Sequence, residues 1–255
     1  IEDRTSSASS VSINGDELYE EMDDNLRLFQ SSYSSSSWTG DVKSYPINAT
    51  TGKPADDPVW SAANQMDNNS TWSNRNIATY NSSSSSGISF QWGDLTSNQR
   101  TFLNNNSTTL EYLRGDSTHE GGAYRMRSSL LGDIVHSSPT FHNNMIYAGG
   151  NDGMLHAFNA TNGQELFGYV PSMVFDHLYE YTQPDYSHKF YVDLTPVVKK
   201  GKNLIASNDK ESLLVGGLGK GGKGYYALDV TDNSEDAVAD RVLWEYTNAT
   251  HLGYT

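Results

Sequence analysis

From Gly132 onward, apolar runs alternate with Gly/Asn/Asp clusters about every ten to fifteen residues, the pattern of short strands joined by tight turns in an all-β fold. One helix interrupts this pattern between Pro171 and Tyr181. Pro171 lies near its first turn, and Val174, Leu178 and Tyr181 share one face. Residues 1–130 are more polar and carry two helical signals. Leu18, Met22, Leu26 and Phe29 form one apolar stripe of a helix starting near Asp16. A second helical stretch begins near Thr96, where Thr96 and Gln99 have capping-box spacing, and Thr108 with Glu111 repeats that spacing before "LEYLRGD". The serine tracts at 31–37 and 82–86 read as exposed loops.

Internal repetition defines the architecture. "WTGDVKSYPINATTGKPADDPVW", "NDGMLHAFNATNGQELFGY" and "GKGYYALDVTDNSEDAVADRVLWEY" share one plan. Each has a glycine turn, a strand carrying Tyr45, Phe158 or Leu228, a polar turn, and a strand carrying Trp60, Phe167 or Trp244. Repeats of this kind build four-stranded sheets that close radially into a β-propeller. The fold class expected is therefore mainly β: part of a β-propeller with quinoprotein-like blade repeats and a few inserted helices. Residues 1–130 supply the helical segments and the first blade-like strands, and residues 131–255 supply further blades of an incomplete propeller. Tyr45, Phe158, Trp60, Phe167 and Trp244 are read as packing between blades.

"LLVGGLGKGGKGYYALDVT", Leu213 to Thr231, raises a phosphate-binding alternative, because Gly217 opens a G-x-x-x-x-G-K-G series. A phosphate loop must run into a helix N-terminus and end in Ser or Thr. Here Gly224 takes that last position and "YYALDV" follows, so the segment reads as a glycine-rich hairpin.

The net charge of -14 argues against nucleic acid and anionic membrane surfaces, which are bound through Lys and Arg in excess. No apolar run reaches eighteen residues, the length a membrane helix needs. With no cysteine, disulfides and zinc-thiolate sites are excluded. Abundant Tyr, Ser, Asn and Thr resemble the composition of secreted surface proteins. The sequons at Asn48, Asn69, Asn81, Asn105, Asn106, Asn159 and Asn248 follow from that richness, and are acceptors only in a host that glycosylates them. The chain begins at Ile1, as a processed or excerpted product would.

"GDIVHSSP", "IYAGGNDGMLHAFNATNGQELFGYVPS", "YVDLTP" and the Leu213–Thr231 string, preceded in order by "WTGDVKSY", "FQWGDLTSNQ", "YLRGD" and "YRMR", resemble the propeller domain of the PilY-type pilus biogenesis factors and tip adhesins. The resemblance implies a non-enzymatic protein exported through the periplasm to the cell surface, near the tip of type IV pili. There it would contact pilin subunits and minor pilins and a host or abiotic surface, assist assembly, oppose retraction and contribute to adhesion, often with calcium dependence. The von Willebrand A-like domain of many members and its D-x-S-x-S motif are not found in these residues. The family's usual calcium loop belongs to blades beyond this segment. Two other classes share the blade repeat: dehydrogenases using pyrroloquinoline quinone, and periplasmic assembly scaffolds. Fold alone does not choose among them.

Two local candidates remain. Asp232, Ser234, Asp236, Val238 and Asp240 alternate as oxygen ligands in a calcium loop would, with Val238 offering its carbonyl, but Ala237 and Leu243 replace the turn glycine and the bidentate Glu of the full pattern. A solvated acidic hairpin loop is the simpler reading. Arg114, Gly115 and Asp116 spell an integrin-binding tripeptide, while the same residues at a helix end read as a basic last turn and a glycine C-cap. His136, His156 and His188 lack metal-ligand spacing, and Ser137 lacks a nucleophile elbow, so they read as structural.

Overall fold

The computed structural model describes residues 5–13, 26–69, 71–201, 211–232, 234 and 237–247. Its frame is three antiparallel four-stranded meanders. The first contains β1 (Thr5–Ile13), β2 (Arg27–Ser34), β3 (Thr39–Pro46) and β4 (Trp60–Ser61). A short hairpin of β5 (Ile77–Asn81) and β6 (Ser86–Ser89) comes next in the chain. The second meander contains β7 (Thr140–His142), β8 (Met145–Gly149), β9 (Leu155–Asn159) and β10 (Glu165–Val170). The third contains β11 (Val197–Lys200), β12 (Ser212–Gly217), β13 (Tyr225–Asp229) and β14 (Val242–Tyr246). The three sequence repeats are the last two strands of each meander. The sheets are open, and β5 pairs in parallel with β10, extending the central one to six strands. Strands from both sides of residue 130 thus share one sheet.

Strand alternation divides the core between the two faces of the central sheet. Ile146, Ala148 and Phe158 meet Phe29, Val42, Trp60 and Met66 on the side of the first sheet. Met145, Tyr147, Phe167 and Tyr169 meet Leu214, Tyr226, Leu228 and Val242 on the side of the third. Every residue of β8 is buried, because a sheet covered on both faces needs a continuous apolar run. Trp60, Phe158 and Phe167 pack between sheets as expected. Tyr45 is only half-buried, and Trp244 is 39% exposed on the outer face of the third sheet, the side away from its neighbour.

The glycine-rich segment is a hairpin: β12 leads through a 3-10 turn, Gly219–Gly221, into β13, with Leu214 opposite Leu228. Among the helices, α1 (Ala62–Asn69) follows β4. Helix α2 (Ser97–Phe102) has the reciprocal capping box of Thr96 and Gln99. Helix α3 (Ser107–Arg114) is capped by Asn106, whose side chain accepts from the Thr108 amide, so its start lies ahead of the expected Thr108. A turn at Ser172–Val174 and helix α4 (Phe175–Tyr181) occupy the predicted span, with Val174, Leu178 and Tyr181 buried.

Two expectations for the N-terminal part are corrected. Phe29 lies on strand β2, where Phe29 and Ser31 are buried with period two, rather than on a helix. Leu18 and Met22 lie outside the described residues. Ser31–Ser34 also belong to this strand, and the buried Ser31 hydroxyl donates to the Ser137 carbonyl at 3.3 Å. The 82–86 tract does form an exposed turn, between β5 and β6.

Candidate functional site

The motif strings converge where the central sheet meets its neighbours. Their glycines allow backbones to touch. A Cβ on Gly132 would collide with the Asp152 backbone, and one on Gly221 would collide with the Tyr191 carbonyl. With side chains excluded there, Asp133 and Asp193 reach across the junction and each takes a histidine from another segment, while Asp152 holds His156 of its own string.

Asp133 is the first such partner. Its Oδ2 accepts from Asn151 Nδ2 at 2.8 Å and from His188 Nε2 at 2.8 Å, and the His188 ring stacks on Trp38 with centroids 3.7 Å apart. Asp193 Oδ2 accepts from His136 Nδ1 at 2.7 Å, while Lys220 Nζ lies 3.3 Å from the other nitrogen of that ring. Burial raises the Asp193 pKa, against the opposing hydrogen bond from His136. Asp41 of "WTGD" instead turns back to α1, accepting from Ser61 Oγ at 2.7 Å and the Ala63 amide at 3.0 Å.

The third pair is the most deeply buried, with His156 itself fully enclosed. His156 Nε2 lies 3.0 Å from Asp152 Oδ2, and His156 Nδ1 lies 2.7 Å from Glu165 Oε1. Arg75 closes the cluster, donating from Nε to Glu165 Oε2 at 2.6 Å and from Nη2 to Oε1 at 2.8 Å. Asp152 also accepts from the Gly132 amide at 2.9 Å. Two carboxylates, one imidazolium and one guanidinium balance in charge, which makes burial of all four tolerable. Burial pulls the His156 pKa down, but Asp152 and Glu165 together outweigh it and raise it to about 9. Burial would raise Glu165 and Asp152 as well, yet Arg75 and His156 hold Glu165 well below the usual carboxylate range, and His156 with the Gly132 amide holds Asp152 down.

These shifts set a pH dependence. The His156 contribution to stability is complete below its ordinary value of 6.5 and is lost as pH rises through about 9. The contributions of Asp152 and Glu165 are present above their ordinary values of 3.8 and 4.5, and are lost as pH falls through their lower folded values. Thermal melts across pH are therefore expected to show a plateau near neutrality with an alkaline decline. His156→Gln should flatten that decline, and an alkaline limb unchanged in the variant would refute the assignment.

Ser137 lies beside the central sheet at Gly149. It is fully buried, and its Oγ accepts from the Gly149 amide at 2.8 Å. Arg114 is 1% exposed: its guanidinium donates to the carbonyls of Phe90 at 2.9 Å, Arg75 at 2.8 Å and Ser73 at 3.1 Å. Gly115 ends α3 with φ +120°, and Asp116 lies on the turn beyond, accepting from Thr118. Of the tripeptide, then, Arg114 faces the interior and serves the helix end.

In the acidic loop, Arg241 Nη2 donates to Asp232 Oδ1 at 2.9 Å and to the Ser234 carbonyl at 2.7 Å. Hydrogen bonds from Ser234, and then from Arg241, lower the Asp232 pKa to about 2. These two ligand candidates already meet a cation. Val238 is buried in a 3-10 turn that includes Asp240, and Asp236 lies outside the described residues. No cluster of three or more His, Asp or Glu suited to a metal occurs among the described residues.

The sequence reading found the three histidines but missed Arg75, Asp133, Asp152 and Glu165. For the aspartates a signal was present: each lies inside a motif string beside a glycine or asparagine. Arg75, in "SNRNI", had none.

The molecule is a mainly β protein with few helices, built of open sheets of four, six and four strands locked together by their motif strings. Residues 131–253 match the family described as the PilY1 beta-propeller domain. The type IV pilus biogenesis factor PilY1 of Pseudomonas aeruginosa strain UCBPP-PA14 is 32% identical over 89% of this chain and 23% of its own length. A PilY1 homolog of Xylella fastidiosa is 33% identical over 87% of this chain and 19% of its own. The crystal structure of the Pseudomonas aeruginosa PilY1 C-terminal domain is 36% identical over 44% of this chain and 20% of that one, with a TM-score of 0.31. The chain belongs to the PilY1 family of type IV pilus biogenesis factors and represents its β-propeller domain region. It spans less than a quarter of the length of these curated relatives.

Proposed function

We propose that this chain is part of a closed propeller in a non-enzymatic pilus component, acting at the pilus tip in assembly, control of retraction and surface adhesion. The observation that carries this reading is the use of the motif residues. His136, His156 and His188 are each held by an aspartate, and Ser137 by a backbone amide, so the motif strings bind the sheets to one another. A rigid scaffold suits a protein that works through its surfaces and transmits load. The outer face of the third sheet supports closure: Val197, Trp244 and Tyr246 stand exposed there, an apolar face that a further sheet of the intact protein would cover. No described helix is long and apolar enough to cross a membrane.

Pilins and minor pilins at the tip are the proposed partners, after export through the periplasm. Calcium at Asp232–Asp240 would have to displace the Arg241 guanidinium, and Asp236→Ala tests it. If calcium binds, it should raise the melting temperature of the parent protein and leave that of the variant unchanged.

The deciding experiment is quantitative mass spectrometry of peptides from this chain in sheared pili, periplasm and cytoplasm. Enrichment with pili is expected. Confinement to the periplasm would overturn the proposal and direct attention to the scaffold or quinone readings.

A further inference from the structure

A cleft of 620 Å³ opens at one end of the strands of the central sheet, where β5 and β10 begin and β6 ends. Its volume lies in the range of small-ligand sites. We propose that this cleft binds a neutral saccharide. The proposal stands independently of the pilus assignment, since it rests on the chemistry of the walls.

Those walls are mostly amide and hydroxyl. Asn74, Gln91 and Gln164 face the space, together with Thr71, Ser73 and Ser89. The side-chain amides of Gln91 and Gln164 make no hydrogen bond among the described residues, so their donors and acceptors are open to a ligand. A primary amide presents an N–H donor and a carbonyl acceptor side by side, matching the adjacent hydroxyls of a sugar ring, each of which both donates and accepts.

The alternatives fit less well. An ionic ligand would meet no uncompensated charge, because the charged groups in the lining, Arg75 and Glu165, are locked in their own two-point pair. The overall charge of -14 adds repulsion toward a polyanion. An apolar ligand would find carbon surface chiefly at Ile77, Leu166 and Ala237. An extended peptide could not pair with β10, which is hydrogen-bonded on one side to β5 and on the other to β9.

The test is an array of neutral, sialylated and sulfated oligosaccharides probed with the intact protein that carries these residues. Retention of neutral glycans is expected, without preference for charged ones. Gln91→Ala combined with Gln164→Ala should weaken the best neutral ligand about tenfold by removing its hydrogen bonds, at an unchanged melting temperature because both side chains are exposed. Ser73→Tyr provides a second variant, narrowing the cleft from another wall while leaving those amides in place. Absence of any neutral glycan from the array, preference for sulfated or sialylated ligands, or parental binding by both variants would each overturn the proposal.

Discussion

Arg75→Ala is expected to cost about 3–5 kcal/mol of folding stability, the range found when one partner of a buried ion pair is removed. In the parent protein this guanidinium makes a two-point contact with Glu165 and donates from Nη1 to the Arg114 carbonyl at 2.8 Å. Its loss leaves the largely buried Glu165 with only His156 to balance two carboxylates. The remaining routes are protonation of Glu165 or admission of water, and either one gives up charge-assisted hydrogen bonds. Urea unfolding at neutral pH measures the cost. A loss below about 1 kcal/mol, the range of an exposed pair, would show that the cluster does not hold the sheet and the preceding segment together. Arg75→Met with Glu165→Leu separates the two contributions. Because the pair carries its own desolvation penalty, the double variant should retain more stability than Arg75→Ala alone.

That experiment probes a feature the sequence showed only in outline. The three repeats were legible because each hairpin repeats a strand–turn–strand pattern, and those hairpins became β3–β4, β9–β10 and β13–β14. The capping box at Thr96 was legible because it is a purely local device. What could not be read was long-range pairing. Nothing near Ile77 states that β5 will lie parallel to β10, since parallel partners are chosen by tertiary packing rather than by a turn. The stripe from Leu18 to Phe29 misled for a related reason. A few apolar residues among polar ones fit a helical period, while the buried Ser31 that marks the strand face is itself polar. The buried cluster was hidden in the same way: Arg75 lies 90 residues from Glu165, and only the fold gives it a counterion. The histidines were visible in the sequence, but their aspartate partners come into view only when the glycine-lined backbones are brought together.

Arg114→Ala should be similarly costly, about 3–5 kcal/mol, which decides how the Arg-Gly-Asp tripeptide must be tested. The carbonyls of Phe90, Arg75 and Ser73 accept from this one guanidinium and would lose a buried donor together. Burial, with the neighbouring Arg75 charge, lowers the Arg114 pKa to about 10, so the group remains protonated at neutral pH. Arg114→Lys should recover only part of the loss, because an ammonium cannot reproduce the planar fork that reaches carbonyls on several sides. Asp116→Ala should cost less than about 1 kcal/mol, since that carboxylate serves an exposed turn through Thr118. An adhesion defect in Arg114→Ala would therefore report loss of folding, whereas Asp116→Ala leaves the scaffold intact and isolates any role of the tripeptide in contact with a receptor. Thermal melts of the three variants order these effects. Native stability in Arg114→Ala would refute the interior role, because the buried carbonyls of Phe90 and Arg75 cannot lose their donor without cost.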